Sequence, residues 1–325
     1  MKAFRTVVSP TASNHPINLQ TKVLTIGSCF ADAIGSRLIH FKSPSIANPF
    51  GVLYSPNAIH KALRYALFNE AAPQHTYLQH QDVHLNYDFH SEFSSLQKEA
   101  LEKKIRKATQ EVHDSLKTAE WLFITYGTAW VYERTDTGEI VANCHKQPTS
   151  AFRKSLLTQK KIIESFEALY TNLKTINPAI RVILTVSPVR HIKDTLELNS
   201  VSKSVLRLAS HTLQENYTDV EYFPAYEIMM DDLRDYRFYK EDMIHPSAEA
   251  EEYIWNYFIN QYGSDHFRKF ITQWTSIQSA MAHKPFHPQA PAHQQFLKET
   301  LRRLEELKST VPVDDEIASI RKQII

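Results

Sequence analysis

The sequence contains few glycines, only two cysteines and no long hydrophobic run. Six of its 325 residues are glycine and two are cysteine. Two cysteines cannot form a disulfide framework, so we expect a cytoplasmic protein in a reducing environment. No apolar run approaches the roughly 20 residues that a membrane-spanning helix needs, and the N-terminal apolar stretch is too short for a secretory signal. We therefore expect neither a membrane span nor secretion.

The sequence also lacks an excess of charge of either sign. It has 37 Lys and Arg against 36 Asp and Glu, a formal net charge of +1. Such a balance provides no electrostatic basis for binding nucleic acid or an anionic membrane, so we expect neither partner. With 42% hydrophobic residues, the composition is that of an ordinary globular protein.

Scarce glycine is informative, because such a chain keeps glycine where backbone geometry needs it. Gly27 follows the short β-branched run 23–26, and apolar residues at helical spacing come after it. The pattern predicts a strand, a tight turn and a helix. A hydroxyl or thiol at this turn would face the free N–H groups of the helix N-terminus, which favour a developing oxyanion. Ser28 and Cys29 are therefore candidate nucleophiles.

Strands alternate with helices along the rest of the main segment. Further strands are predicted at 121–125, 181–186 and 220–223, and a hairpin at 131–134 and 140–143. Helices are predicted at 56–67, 96–118, 158–177, 200–216 and 247–262. This alternation indicates an α/β fold with a mainly parallel sheet covered on both faces.

The character of the chain changes after residue 265. Helices are predicted at 266–282 and 296–307, separated by the linker-like run 283–294. We therefore predict an α/β domain over residues 1–265 and a helical C-terminal extension over 266–325. The extension is either a small separate module or an arm on the main domain, and the pattern does not decide between them.

Several motifs, taken together, resemble a known family. The string Gly27-Ser28-Cys29-Phe30-Ala31 resembles the signature of the GSCFA domain family, and the resemblance spans roughly residues 1–260. It continues through the segments 48–51, 126–130, 143–146, 185–191 and 234–246. The resemblance implies a fold like that of the SGNH hydrolases: a flavodoxin-like, three-layer arrangement around a central, mainly parallel sheet.

The candidate base and acid lie just before the last helix of the main segment. Asp242 and His245 are three residues apart, and SGNH hydrolases carry an Asp-x-x-His of this kind. A histidine can accept the nucleophile's proton, while a carboxylate on its other nitrogen fixes the tautomer. The nucleophile stays open: register against the family's Gly-Asp-Ser favours Cys29, whereas the usual chemistry favours Ser28. A thiol at a helix N-terminus is expected to be partly thiolate, although an intracellular cysteine is more commonly a small buried residue.

The oxyanion donors depart from the SGNH pattern. Gly51 fits the first donor of the family, but Gly127 is followed by Thr128 and not by asparagine. Thr128 or Asn143 could donate instead. Further candidates for substrate binding are His90, His145, Arg190 and His191. A zinc site that includes Cys29 lacks the usual ligand spacing, so no metal and no cofactor are expected.

The resemblance therefore implies a hydrolase or acyltransferase that acts on an ester through a nucleophile–His–Asp triad. The expected partner is a small-molecule ester or an acylated carbohydrate. The alternative is a catalytically degenerate SGNH-like module that binds a ligand or protein without turnover; the altered turn and the missing asparagine favour it. The sequence does not indicate the oligomeric state.

Overall fold

Strands and helices alternate along the chain as the sequence pattern predicts. The computed structural model describes residues 5–325, so residues 1–4 of the predicted first domain lie outside the described residues. The strands are β1 (Val23–Gly27), β2 (Ile46–Ala47), β3 (Tyr77–His80), β4 (Val83–Asn86), β5 (Trp121–Tyr126), β6 (Trp130–Arg134), β7 (Ile140–Val141), β8 (Phe152–Leu156), β9 (Arg181–Val186) and β10 (Val220–Phe223). The helices are α1 (Cys29–His40), α2 (Pro56–Phe68), α3 (Lys98–Thr118), α4 (Gln159–Ile176), α5 (Thr195–Asn216), α6 (Ala225–Glu227), α7 (Ala248–Tyr262), α8 (Asp265–Ala282), α9 (Pro291–Leu307) and α10 (Asp314–Arg321).

A five-stranded parallel sheet forms the centre of the fold. Its strands lie in the order β10-β9-β5-β1-β2. Numbered along the chain within this sheet, that is the 2-1-3-4-5 order of flavodoxin-like folds, so the predicted fold class is confirmed. The four predicted strands all belong to this sheet. The edge strand β2 was not predicted, because two residues carry no usable periodicity.

The sheet is covered on both faces, which makes the fold three-layered. Alternate residues of β1 and β5 enter two different hydrophobic clusters, because successive side chains of a strand point to opposite faces. One cluster contains residues of α2, α3, α4 and α5. The other contains residues of α1, α7, α8, α9 and α10. The apolar spacing of each helix therefore serves to cover one face of the sheet.

The C-terminal helices pack directly on the α/β layer. Their apolar residues share one hydrophobic cluster with α1 and α7. The indole Nε1 of Trp274 in α8 donates a hydrogen bond to the carbonyl oxygen of His40, at the end of α1, over 3.0 Å. The extension is thus part of one core, while the division of the chain at residue 265 stays a prediction. None of the helices within residues 5–325 is long and apolar enough to cross a membrane.

Two small antiparallel sheets flank the main one. The predicted hairpin is present as β6 and β7, and β8 joins it to give the order β7-β6-β8. β3 and β4 form a separate hairpin. The sheet of β6, β7 and β8 follows directly after β5 in the chain. It therefore stands beside the carboxyl end of the central sheet, where it can form one wall of a site.

Candidate active site

The turn after β1 is held by close backbone contacts. Gly27 has a φ of 136°, and a Cβ atom there would lie 2.2 Å from the carbonyl oxygen of Thr125. Only glycine fits this position. The side chain of Asn48 braces the same turn: its Oδ1 accepts a hydrogen bond from the N–H of Gly27 at 2.9 Å. Ser28 is then the N-cap of α1, and Cys29 is the first residue of the helix.

A cavity of about 730 Å³ opens beside this turn, at the carboxyl ends of the central strands. In a 2-1-3-4-5 sheet, ligands bind at this edge, next to the point where the strand order reverses. Here that point lies between β1 and β5. The predicted site residues that line the cavity are Ser28, Cys29, Thr128, Asn143, His145, Arg190, His191 and His245. The predicted residues Gly51, His90, Gly127 and Asp242 are not part of its lining.

The two candidate nucleophiles differ in access. Ser28 is 1% exposed, and its Oγ is buried with no hydrogen-bond partner among residues 5–325. Its hydroxyl does not cap α1, although the residue occupies the N-cap position. Cys29 is partly exposed and carries a free thiol. The geometry therefore presents the thiol, and not the hydroxyl, to a ligand in the cavity.

The charge state of Cys29 results from opposing influences. Burial raises the pKa of the Cys29 thiol above its ordinary value, and it outweighs the lowering by Lys203 and by the backbone N–H groups of Cys29 and Phe30. Asp32 adds a smaller increase. The thiol is therefore mainly protonated in this structure, in contrast to the expectation that it would be partly thiolate. The N–H groups that lower its pKa are also positioned to stabilise an oxyanion.

Asp242 and His245 form a hydrogen-bonded pair. His245 Nδ1 and Asp242 Oδ2 are 2.6 Å apart, which leaves Nε2 of the imidazole free. The other carboxylate oxygen, Oδ1, accepts the backbone N–H groups of Ile244 and His245, each over 2.9 Å. These bonds lower the pKa of Asp242 to about 2, the backbone donors contributing most. The carboxylate is thus ionised and held in place to orient the imidazole.

The triad is not closed in this structure. His245 lines the cavity together with Cys29, but no hydrogen bond joins it to Cys29 Sγ or Ser28 Oγ anywhere in the described part of the chain. Catalytic hydrogen bonds often tighten only when substrate binds. Attack by the thiol therefore requires the loop that carries His245 to approach α1.

Most of the expected oxyanion donors are already engaged. The N–H of Gly51 donates to the carbonyl of Asn48 at 2.8 Å, and that of Gly127 donates to the carbonyl of Tyr54 at 2.8 Å. The hydroxyl of Thr128 lies 3.1 Å from Ser202 Oγ. The amide of Asn143 donates one hydrogen bond, to Ser91 Oγ at 3.0 Å, and so keeps a second N–H free. Asn143, which lines the cavity, therefore keeps an amide donor that a ligand could use.

The predicted histidines lie in different surroundings. His145 is buried, its Nε2 is 2.7 Å from the carbonyl oxygen of Asn86, and burial lowers its pKa. His191 has its pKa lowered to about 4, mainly by burial and further by Lys203, so it is neutral. His90 lies against Gly51, outside the cavity lining. Within residues 5–325, no three His, Cys, Asp or Glu side chains are grouped so that they could hold a metal ion.

Arg190 connects the loop after β9 to the loop of His245. Its guanidinium donates to the carbonyl oxygen of Met243 and lies 4.4 Å from the ring centre of Tyr239. The segment Met243–His245 is therefore fastened from the side of the cavity. Arg190 thus shapes the position of the Asp242–His245 pair, as well as lining the cavity itself.

Sequence reasoning missed a row of buried polar residues on α5. Asn199, Ser202 and Lys203 are 4%, 1% and 1% exposed and lie on one side of the helix. Asn199 Oδ1 accepts the N–H of His191 at 2.9 Å, and Ser202 Oγ accepts the N–H of Ala129 at 2.7 Å. The row thus holds the loops that follow β5 and β9. The available signal was a set of polar residues spaced i, i+3 and i+4 at the start of a helix whose later buried positions are mostly apolar.

Comparisons with known proteins place the chain in a family. Among solved structures, it is similar to a carbohydrate esterase family 3 protein from Talaromyces cellulolyticus, with a TM-score of 0.36 and 9% identity; the match covers 79% of this chain and 99% of that chain. It is also similar to an acetyl xylan esterase from the rumen bacterium Butyrivibrio proteoclasticus, with a TM-score of 0.37 and 12% identity, over 81% of this chain and 66% of that chain. A search of curated proteins finds no match. The family model for the C-terminal domain of GSCFA domain proteins matches residues 274–325. Because the model of the GSCFA family itself matches residues 22–258, most of its length, the chain belongs to the GSCFA family.

Proposed function

We propose that this protein hydrolyses an ester, or transfers its acyl group, with Cys29 as nucleophile and His245 as base. The observation that carries the proposal is that one cavity at the carboxyl edge of the sheet is lined both by the partly exposed Cys29 and by His245, whose imidazole is hydrogen-bonded to Asp242. A pure binding site has no evident need for an imidazole oriented by an ionised carboxylate.

The reaction follows from these positions. Cys29 Sγ attacks the acyl carbon, its proton passes to His245 Nε2, and the carbonyl π electrons move to oxygen. The N–H groups of Cys29 and Phe30 then stabilise the oxyanion. As the C–O bond to the alcohol breaks, the imidazolium returns its proton to the leaving oxygen. Water, with His245 again as base, hydrolyses the thioester and releases the acid; an alcohol in its place gives acyl transfer.

Ser28 supports this turn in the proposal but does not attack. Its Oγ is buried although the residue borders the cavity, whereas Cys29 is partly exposed. A mechanism through Cys29 needs a reduced thiol, which agrees with the expectation of a cytoplasmic protein. Ser28 becomes the nucleophile only if α1 shifts enough to expose its hydroxyl.

The cavity suggests the class of substrate. Its lining includes aromatic faces and hydrogen-bonding side chains, a mixture suited to a ring that is both apolar on its faces and polar at its edge. The aromatic residues are Tyr54, Trp130, Tyr132 and Phe152, and the polar residues include Asn143, Lys146 and Gln147. We therefore propose an acylated carbohydrate, such as an acetylated oligosaccharide, as the first substrate to test.

Hydrolysis of chromogenic acyl esters and of acetylated oligosaccharides tests the proposal. We expect Cys29→Ala to abolish turnover, and His245→Ala to lower kcat/KM at least about 100-fold, as loss of a general base does. His75→Ala is the matched control. His75 forms a similar exposed pair with Glu139 at 2.9 Å but does not line the cavity.

Labelling separates the two nucleophiles. Modification of Ser28 by a fluorophosphonate, with full activity in Cys29→Ala, would replace the thiol mechanism by a serine mechanism. If no ester is turned over and neither residue is labelled, the degenerate binding module is the correct interpretation. The open triad and the raised pKa of Cys29 are the observations that favour that second candidate.

A further inference from the structure

Lys203 is a buried amine that the proposed reaction does not use. It is 1% exposed, and its Nζ donates hydrogen bonds to the carbonyl oxygens of Gly127 and Ser187, each over 2.8 Å. These carbonyls follow directly after β5 and β9. A Cβ atom on Gly127 would lie 3.3 Å from the Cβ of Ser28. The amine therefore lies behind the nucleophile turn, bonded to the residue that packs against Ser28, and it is not part of the cavity lining.

The number of hydrogen-bond acceptors around Lys203 Nζ fits a lysine that can lose its charge. A neutral amine has two N–H groups, which the two carbonyl oxygens satisfy, whereas an ammonium has three. Nζ makes no third hydrogen bond within residues 5–325. Burial lowers the pKa of Lys203 to about 7, and the nearby Cys29 opposes that decrease. Lys203 can thus gain or lose its charge near neutral pH.

We propose that Lys203 is a positioning residue that supplies positive charge opposite Cys29 when negative charge develops there. This inference rests on the proposed function only in taking Cys29 as the nucleophile. Lys203 lowers the pKa of Cys29, and the thiolate in turn raises the pKa of Lys203. The two groups therefore titrate as a coupled pair, in which the thiolate is most stable beside the ammonium. Lys203 acts through Cys29, and the proton of the thiol still passes to His245.

The other charged or titratable groups around this pair do not replace Lys203. Asp32, also on α1, raises the pKa of Cys29 and so opposes the thiolate. Cys29 contributes to the raised pKa of Tyr54, after burial, so that phenol stays neutral. His191 is neutral at pH 7 because its pKa is lowered to about 4. Nζ of Lys203 also lies 5.8 Å from the ring centre of Tyr226, whose pKa is raised by burial.

Alkylation of Cys29 by iodoacetamide, measured from neutral pH to well above the ordinary pKa of a thiol and followed by mass spectrometry of its peptide, tests the proposal. Lys203→Met keeps the length of the side chain and removes its charge. We expect the midpoint for Cys29 to rise by about one pKa unit, which lowers the rate at pH 7 about tenfold. Lys203→Arg keeps a positive charge and hydrogen-bond donors and should return the midpoint towards that of the wild-type protein. An unchanged midpoint in folded Lys203→Met would overturn the proposal.

Two controls separate charge from packing. Ser202→Ala removes a neighbouring hydrogen bond of α5 to the same loop without changing charge, and it should leave the midpoint of Cys29 where it is. Cys144, whose pKa is raised to about 11 by burial, is the internal reference and should react equally slowly in each variant. An equal shift in Ser202→Ala would mean that packing, and not charge, moves the thiol.

A second measurement applies even if the Lys203 variants do not fold. In the wild-type protein, NMR titration of lysine ¹³Cε signals should show one lysine with a midpoint near 7. That midpoint should fall in Cys29→Ala, because the thiolate no longer raises it. If no lysine midpoint changes in Cys29→Ala, the two groups are not coupled and the proposal is wrong. Neither experiment requires ester turnover, so a failure of the proposed hydrolysis would be recognised separately.

Discussion

Asn48 offers a direct test of how the nucleophile turn is held. It is 8% exposed with a φ of 43°, and its Oδ1 accepts the N–H of Gly27 at 2.9 Å. Its Nδ2 also donates to the carbonyl oxygen of Ser28, but at 3.4 Å, which is too long to contribute much. The carbonyl of Ser28 keeps a 2.8 Å bond from Ala31 in any case. The bond to Gly27 is therefore the one whose loss matters.

Two substitutions separate the hydrogen bond from the backbone conformation. Asn48→Gly removes the side chain but tolerates positive φ, so it leaves mainly the buried N–H of Gly27 unpaired, at a cost of about 2 kcal/mol. Asn48→Ala adds a left-handed residue with a Cβ, which costs about 1–2 kcal/mol more. We therefore expect the free energy of unfolding to be highest in the wild-type protein, lower in Asn48→Gly and lowest in Asn48→Ala. Because the turn carries Cys29, the alkylation rate of the thiol should change in both variants.

Asn69 is the matched control for this prediction. It also has positive φ, 52°, but it is exposed, and its side chain bonds Gln110 at the surface over 2.9 Å. Asn69→Gly should change the free energy of unfolding by less than about 0.5 kcal/mol. Urea denaturation of the four variants, including Asn69→Ala, measures each difference. If Asn48→Gly destabilises no more than Asn69→Gly, the bracing bond does not have the role we assign to it.

Three further predictions concern stability. Gly35→Ala should destabilise the protein by about 2 kcal/mol although alanine has the better helix propensity, because the new Cβ would lie 2.4 Å from Thr25 Oγ1 and 2.6 Å from the Cβ of Ala47. Equal or higher stability of the variant in urea would contradict this close packing. Burial lowers the pKa of His60 to about 3, so between about pH 6.5 and 3 only the unfolded state binds a proton at this residue. As the pH falls through that range, His60 should therefore lower the free energy of unfolding by at most about 1.4 kcal/mol per pH unit. The decrease should be shallower in His60→Gln. Leu304→Ala, at a fully buried position of α9, should lower the free energy of unfolding by about 2–5 kcal/mol. Urea denaturation of the variant should still show one cooperative unfolding transition, whereas two transitions would mean that the extension folds separately.

Periodicity was sufficient to predict most of the fold. The apolar runs at 121–125 and 181–186 predicted buried parallel strands, and both lie inside the sheet with partners on each side. The helix predicted at 56–67 begins at Pro56 as expected, and the hydroxyl of Ser55, its N-cap, accepts the N–H of Ala58 at 3.3 Å. The two-residue strand β2 was missed because its pairing depends on β1, not on its own pattern.

The candidate site was predictable only where its residues follow strands. The carboxyl ends of parallel strands meet at one edge, so the residues after β1, β5 and β9 could be expected to lie together. Which of them reach the cavity depends on backbone hydrogen bonds that no spacing reveals. Gly51 is an example, since its N–H bonds Asn48 within the same loop. The contact between Asp242 and His245, by contrast, was anticipated because the two residues resemble the Asp-x-x-His of SGNH hydrolases.

Lys203 shows why the remaining part of the site was not predictable. In sequence, a lysine between Ser202 and Ser204 on a helix looks like a solvated face, since charged residues are rarely buried. The parallel sheet reverses that expectation. Its strands end in carbonyl oxygens near the nucleophile turn, and those oxygens need donors that water cannot supply in a covered site. A helix packed across these strand ends must therefore carry polar groups inward, so buried polar residues at i, i+3 and i+4 on a covering helix are a sign of a site beneath it.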